Sequence, residues 1–270
     1  MDPFRDRVAV ITGGAGGIGM AMARAFAARG AKLVLADLDE QALGRAVGEL
    51  TGEGASALAV ATDVTSLESV QALAAAAKAH FGGAHIVCNN AGVATFGEIQ
   101  RSSHRDWVYT MNVNFWGVVH GVESFVPLLV EQGQGGHIVN TASMAGLVGM
   151  RWLGIYSASK FAVVGLTEAL HRELTPQGIG VSVLCPMIVD TQINENSARM
   201  RPQGLRNADE LPPPPSSAMA GGTIPTAEVG RRVVRGIERG DLYVLTHPEQ
   251  RAILRRRADK LDAMFGEDVW

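Results

Sequence analysis

Tyr156 and Lys160 stand four residues apart in "GIYSASKFAVVGL", residues 154–166, with only small side chains between them. On a helix that spacing stacks the two side chains on one face. A phenol, with its ordinary pKa near about 10, is a poor base at neutral pH, but a fixed cation beside it favours the phenolate. Such a pair could take a proton from an alcohol or return one to a carbonyl oxygen. The chain holds only three tyrosines and only four lysines, Lys32, Lys78, Lys160 and Lys260. Taken alone, the pair reads equally well as two ordinary helix neighbours. The surrounding sequence has to decide.

A second stretch with chemical meaning is "TGGAGGIG", residues 12–19. It follows an apolar run and opens a helical one. Glycines there allow a sharp turn and a close backbone approach to a pyrophosphate, and the helix N-terminus supplies N–H donors and partial positive charge. Gly13, Gly16, Gly17, Ile18 and Gly19 are the expected contacts. The strand–glycine–helix context is a stronger signal than the bare GxGxxG match, because glycine is dense here. Asp37 ends the next apolar run, 18 residues after Gly19, about where an acid accepts hydrogen bonds from an adenosine ribose. Its carboxylate would repel a 2′-phosphate, and neither "TGGAGGIG" nor "ADLDEQ" holds an Arg or Lys to offset that. NAD is therefore expected over NADP. The alternative is that Asp37 merely caps the next helix; Asp39 is the competing acid.

The elements that must hold these residues alternate along the chain. "RVAVIT", "KLVLAD", "ALAVATD", "HIVCNNAG", "GHIVNTAS", "GVSVLCP" and "LYVLTH" read as strands, separated by segments with helical spacing. Nearly all these runs are apolar throughout, the mark of strands covered on both faces. The expected fold is α/β: a Rossmann-type doubly wound parallel sheet of about seven strands, with residues 1–270 as one domain. Thr65 with Glu68 predicts a capping box, and one long helix is predicted from about residue 103 to 130. Residues 190–225 include "LPPPPSSAMAGG", which cannot be regular helix or strand, and are expected to form a mobile substrate loop. The basic tail "RAILRRRADK" reads as a solvated helix face.

Composition narrows the function classes. Hydrophobic residues make up 47% and charged residues 19%, a globular profile. A net charge of −3 gives no reason to expect a nucleic acid or an anionic membrane as partner. The two cysteines, Cys88 and Cys185, lie in apolar runs and are expected to be buried free thiols, which fits a cytoplasmic location. No Cys/His pattern has zinc spacing, so no metal is expected. "MDPFRDR" has no signal-peptide pattern. The uncharged run at residues 8–23 is too short to span a bilayer and is rich in glycine.

Together these motifs resemble the short-chain dehydrogenase/reductase family over roughly residues 4 to 190. Thr12, Gly13, Gly17 and Gly19 fit its TGxxxGxG motif. "NNAG", with Asn90 and Gly92, matches its strand-four motif, and Asp63 with Val64 falls where the family contacts adenine. Asn114 in "MNVNFWG" matches the catalytic asparagine, Ser143 in "VNTASMAG" the catalytic serine, and Tyr156 with Lys160 the YxxxK motif. Pro186 and Thr191 match the ends of the segment that flanks nicotinamide, with Ile188 and Val189 between them. The family usually has glycine after that proline; here the segment is "PMIVDT", and Met187 could narrow or line the pocket.

The resemblance implies an NAD(H)-dependent interconversion of an alcohol and a ketone. Tyr156 would be the acid–base. Ser143 would hold the substrate oxygen and stabilise alkoxide charge. Lys160 would tune the phenol, sharing that task with the positive nicotinamide ring, and bind the nicotinamide ribose. Asn114 would place a water linking the lysine to solvent. Val93, Ala94, Phe96, Met144, Met150, Trp152, Leu153, Met187 and Ile188 are the expected pocket wall, with core packing or a subunit contact as the alternative for each. Their apolar, methionine-rich character suits a small-molecule secondary alcohol or ketone with a bulky apolar or aromatic group. A 3-oxoacyl-thioester reductase is the nearest rival. It usually calls for NADPH and for basic residues near the ribose. A non-catalytic dinucleotide sensor is the rival from another class, and such relatives often lose the tyrosine, lysine or serine that this chain keeps. A homo-oligomer, tetramer or dimer, is implied; "NFWGVVHGVESFVPLLV" is apolar enough for a helix interface, and core packing explains it equally well.

Overall fold

The computed structural model describes residues 2–207 and 221–266. Seven strands pair in parallel: β1 (Val8–Thr12), β2 (Lys32–Asp37), β3 (Ala57–Ala61), β4 (Ile86–Asn89), β5 (Gly136–Thr141), β6 (Ile179–Cys185) and β7 (Tyr243–Leu245). Their order across the sheet is β3-β2-β1-β4-β5-β6-β7. The chain runs outward from β1 to β3, then crosses back to β4. The direction of winding therefore reverses between β1 and β4, which opens a crevice at the carboxyl ends of those strands.

Strand periodicity sorts the core into two layers. Ala9 and Ile11 of β1, with Leu33 and Leu35 of β2, pack under α1 (Gly17–Ala27), α2 (Glu40–Gly52) and α8 (Thr226–Arg239) through Met22, Phe26, Leu43, Val229 and Val233. Val8, Val10 and Val34 point the other way. They meet α3 (Leu67–Phe81), α5 (Gly117–Gln132) and α6 (Gly154–Leu174) through Leu73, Phe125, Leu129 and Leu170. Two further helices, α4 (His104–Met111) and α7 (Ile193–Arg199), flank the crevice, and α9 (Arg251–Asp262) lies exposed, as its basic composition suggests.

Four sequence expectations need correction. The strands are not all covered on both faces: edge strand β3 is only partly buried, and β7 buries Val244 alone. The cap of α3 is Ser66, not Thr65. The Ser66 hydroxyl accepts from the Ser69 N–H and donates to Glu68, while Thr65 turns back to the Asp63 carboxylate. The long helix spans residues 104–132 but carries a π turn at Asn112–Trp116. Its extra residue per turn shifts the register locally, a distortion common at functional sites. By length and composition this helix could cross a membrane, but Val118, Phe125 and Leu129 bury its inner face against the sheet. Finally, residues 190–225 are not wholly irregular, because α7 forms inside them. The proline run lies outside the described residues.

Candidate active site

Gly13 and Gly17 adopt φ of +63° and +52°, the left-handed region that favours glycine. Gly13 also lies so close to the β4 exit that an added Cβ would stand 2.9 Å from the Ala91 Cα. The two motifs are stitched together. Thr12 Oγ1 accepts from the Asn90 and Ala91 N–H groups, and Asn90 Nδ2 donates to the Thr12 carbonyl at 3.0 Å. α1 then starts at Gly17 with no side-chain cap on its first N–H groups, and nothing lies within 4 Å of a Cβ built on Gly16. Open space in front of bare helix N–H groups fits a dinucleotide pyrophosphate.

Gly19 does not face this space. Its role is packing: an added Cβ would fall 2.0 Å from the Gly13 carbonyl oxygen. Gly19→Ala is therefore expected to cost about 1–3 kcal/mol by overpacking the turn, read as a lower melting temperature. Gly16→Ala, which adds its methyl to open space, should melt as the wild type does.

The loop opens onto a cleft of about 1040 Å³. At the end where β2 and β3 finish lie Asp37, Asp63 and Val64. The Asp37 carboxylate accepts from the Ala15 and Asp39 N–H groups, both at 3.2 Å, so it is fixed at the strand end beside the glycine loop. Asp39, not Asp37, caps α2 through the Ala42 N–H. Two arginines outside the stretches "TGGAGGIG" and "ADLDEQ" also line this end, Arg45 and Arg199. Arg199 reaches from α7 to the Asp39 carboxylate at 2.8 Å.

At the other end β5 and α6 bring Ser143, Tyr156 and Lys160 together. Ser143 follows β5 beside the Tyr156 phenol, and its hydroxyl donates to the Pro186 carbonyl at 3.3 Å. Lys160 is 3% exposed; its ammonium donates to the Thr141 carbonyl at 2.8 Å and lies 5.7 Å from the centre of the Tyr156 ring. Burial lowers the lysine pKa to about 8, which leaves it mostly charged at neutral pH. Burial is also the largest influence on Tyr156. It pushes the phenol above its ordinary value, and the Ser143 hydroxyl beside it pulls it partly back. Lys160 is held by Thr141 and is not in hydrogen-bond contact with the phenol. The protein's own groups thus hold the phenol protonated, and the lowering expected from sequence is not provided by this lysine alone.

Asn114 sits on the π turn, fully buried. Its Oδ1 accepts from the Val93 N–H at 2.8 Å, and its Nδ2 donates to the Val93 carbonyl and to Ser159. An added Cβ at Gly92 would stand 3.3 Å from Asn114 Oδ1 and 3.5 Å from Lys160 Nζ. Asn114 therefore stands beside the lysine without lining the cleft, and Gly92 keeps the space between them open.

Of the expected pocket wall, Val93, Ala94, Phe96, Met150, Leu153, Met187 and Ile188 line the cleft, and Pro186, Val189 and Thr191 continue it. Met144 and Trp152 do not. Met144 is buried on the opposite side, towards Leu245 and Leu254. Trp152 has φ of +68°, receives the Gly97 N–H on its carbonyl and packs its ring on Arg151. Adjacency in sequence does not place these residues on one wall, because the chain turns sharply at Trp152. Sequence reasoning missed Tyr109, Met200, Pro202 and Leu205, which line the same space. Tyr109 stands one helical turn before Val113, which also lines the cleft, and no motif marks either residue. The others come from the segment read as irregular. That segment is tied down by Tyr109, whose hydroxyl donates to the Ser197 carbonyl, and by the Ala94 N–H to Ser197 Oγ. The Arg201–Asp106 ion pair fixes it further, at 2.8 Å.

Comparison with known proteins assigns the family. The profile of the short chain dehydrogenase family matches residues 7–202. A Cα-dehydrogenase of Sphingobium sp. is 36% identical over 262 residues, covering 95% of this chain and 85% of that protein. A 1-deoxy-11-beta-hydroxypentalenate dehydrogenase of Streptomyces exfoliatus is 39% identical over 206 residues, 74% of each chain. A crystal structure of a short chain dehydrogenase/reductase from Burkholderia phymatum in complex with NAD superposes with a TM-score of 0.91 at 41% identity, over 98% of both chains. With its glycine loop, serine, tyrosine and lysine gathered on one cleft, the chain belongs to the short-chain dehydrogenase/reductase family of oxidoreductases.

Proposed function

We propose that this protein interconverts a secondary alcohol and a ketone with NAD(H), on a substrate that carries a bulky apolar or aromatic group. The observation that carries the reading is the convergence of Ser143, Tyr156 and Lys160 at one end of a cleft whose other end holds the glycine loop and Asp37. When bound, the nicotinamide dinucleotide accepts or gives up the hydride. The chain supplies position and proton transfer. Tyr156 takes the hydroxyl proton during oxidation and returns it during reduction. Ser143 donates to the substrate oxygen as alkoxide charge develops. Lys160 places a buried positive charge one turn from the phenol, where it favours phenolate together with the positive ring of the oxidised cofactor. Lys160 would also hold the ribose hydroxyls on the nicotinamide side of a bound dinucleotide. Asn114, holding Val93 beside Lys160, positions a water that relays the lysine's proton outward. The apolar wall built by Val93, Leu153, Met187 and Met200 supports the choice of a bulky apolar group. The exposed Trp116 and Val130 on the outer face of the long helix support self-association as a dimer or tetramer.

The test is turnover of purified protein on a panel of aryl and alkyl secondary alcohols and their ketones, followed by nicotinamide absorbance. Bulky apolar members should be turned over fastest, and activity confined to small polar alcohols would contradict the substrate reading. NAD preference rests on Asp37, whose carboxylate repels a 2′-phosphate, with Arg199 already engaged by Asp39. Asp37→Ala is expected to weaken NADH binding roughly tenfold, the size of a lost hydrogen bond to a charged group, and to relax the rejection of NADPH. Titration of both cofactors by fluorescence checks this. Tighter NADPH than NADH binding in the wild type would contradict it.

A further inference from the structure

His247 follows β7 and is 3% exposed, yet none of the mechanism above uses it. Its ring stands between two segments. The Met187 N–H points to Nδ1 at 3.3 Å, while the carbonyls of Ile188 and Gly222 lie 3.2 and 3.0 Å from Nε2. A backbone N–H can only donate and a carbonyl can only accept. The tautomer follows without ambiguity: Nδ1 is the bare acceptor and Nε2 carries the proton. Thr246 Oγ1, 2.6 Å from Nδ1, must then donate to it as well. The imidazole therefore joins "PMIVDT", where this chain has Met187 in place of the family's usual glycine, to the start of the last stretch before α8. A short parallel bridge reinforces the joint, with the Ile224 N–H donating to the Ile188 carbonyl at 3.1 Å and the Asp190 N–H to the Ile224 carbonyl at 3.0 Å.

We propose that His247 is a positioning residue: it fixes the backbone of residues 187–188 beside the nicotinamide half of the cofactor and anchors to it the returning end of the substrate loop at Gly222. The inference rests on the dinucleotide reading of the cleft. It assigns the two imidazole nitrogens separate tasks, which two conservative variants separate. In Asn, the amide oxygen can stand near the place of Nδ1 and keep an acceptor for Met187. In Gln, the amide nitrogen can stand near the place of Nε2 and keep a donor for Ile188 and Gly222.

The experiment is hydrogen–deuterium exchange on the full chain, with parallel NADH and ADP-ribose titrations, for wild type, His247→Ala, His247→Asn and His247→Gln. His247→Ala should speed exchange in peptides covering residues 187–190 and 222–225. It should weaken NADH roughly tenfold by leaving the part-buried Met187 N–H without its acceptor, and leave ADP-ribose affinity unchanged, because the adenosine end is untouched. Asn should restore protection mainly at 187, and Gln mainly at 222–225, so the proposal stays testable if the Ala variant does not fold. Equal weakening of NADH and ADP-ribose, or Asn and Gln variants with wild-type exchange at both segments, would overturn it. Wild-type protein that bound neither ligand would overturn the dinucleotide reading and this proposal with it. Wild-type binding with a failed variant pattern would overturn the proposal alone.

Discussion

Tyr156→Phe is expected to lower kcat by about a hundred- to ten-thousandfold, the range for loss of a positioned acid–base, while NADH still binds. The substitution removes one oxygen and leaves the ring in place. The Ser143 hydroxyl keeps the Pro186 carbonyl as its acceptor, so no buried donor is stranded. Steady-state turnover and a fluorescence titration of NADH check the two halves of the expectation. In the wild type, alcohol oxidation needs the phenolate and should rise with pH through the tyrosine titration. In the Phe variant that limb should disappear. Retention of full turnover would remove Tyr156 from the mechanism.

Lys160→Met should lower kcat by about a hundredfold or more, since each pKa unit of lost phenolate stabilisation is a factor of ten at fixed pH. Any residual oxidation should move its pH limb upward, because removing a cation makes the phenolate harder to form. NADH binding should weaken too. Fold stability should respond differently. Burial takes the lysine from its ordinary 10.5 to about 8, so the charged form is disfavoured in the folded chain by about 3 kcal/mol. That penalty is fully present below about pH 8 and fades as pH rises towards the unfolded value. At neutral pH methionine escapes it but leaves the Thr141 carbonyl without its donor, an opposing cost of about 1–3 kcal/mol. The variant is therefore expected to melt close to the wild type despite its lost activity. A thermal melt beside the kinetic assay separates this from a lysine kept for stability. A large fall in melting temperature with unchanged turnover would reverse the assignment.

The serine–tyrosine–lysine end of the cleft was legible in the sequence because its residues lie on short, strongly patterned elements. Tyr156 and Lys160 share a helix face by spacing alone, and the glycine loop must turn where a strand meets a helix. The sheet followed from apolar runs, yet those runs did not mark β3 and β7 as edges, since alanine and valine read alike in covered and half-covered strands. Other features depended on contacts distant in sequence. Arg199 reaches Asp39 across 160 positions, so the charge around Asp37 could not be read from the two stretches beside it. Trp152 and Met144 were placed by adjacency to cleft residues, and a residue with positive φ turns one of them away. The π turn at Asn112–Trp116 leaves no mark in composition. The phenol illustrates a further limit. Spacing showed that a cation is near but not that Thr141 holds it, nor that burial outweighs it.

The most direct measurement of the central claim is the fate of the carbinol hydrogen. A turned-over secondary alcohol carrying deuterium on its carbinol carbon, incubated with NAD and the enzyme in ordinary water, should yield reduced cofactor with one deuterium at C4 of the nicotinamide ring and the corresponding ketone in equal amount. Ketone formed while the cofactor carried no deuterium would contradict direct hydride transfer in this cleft.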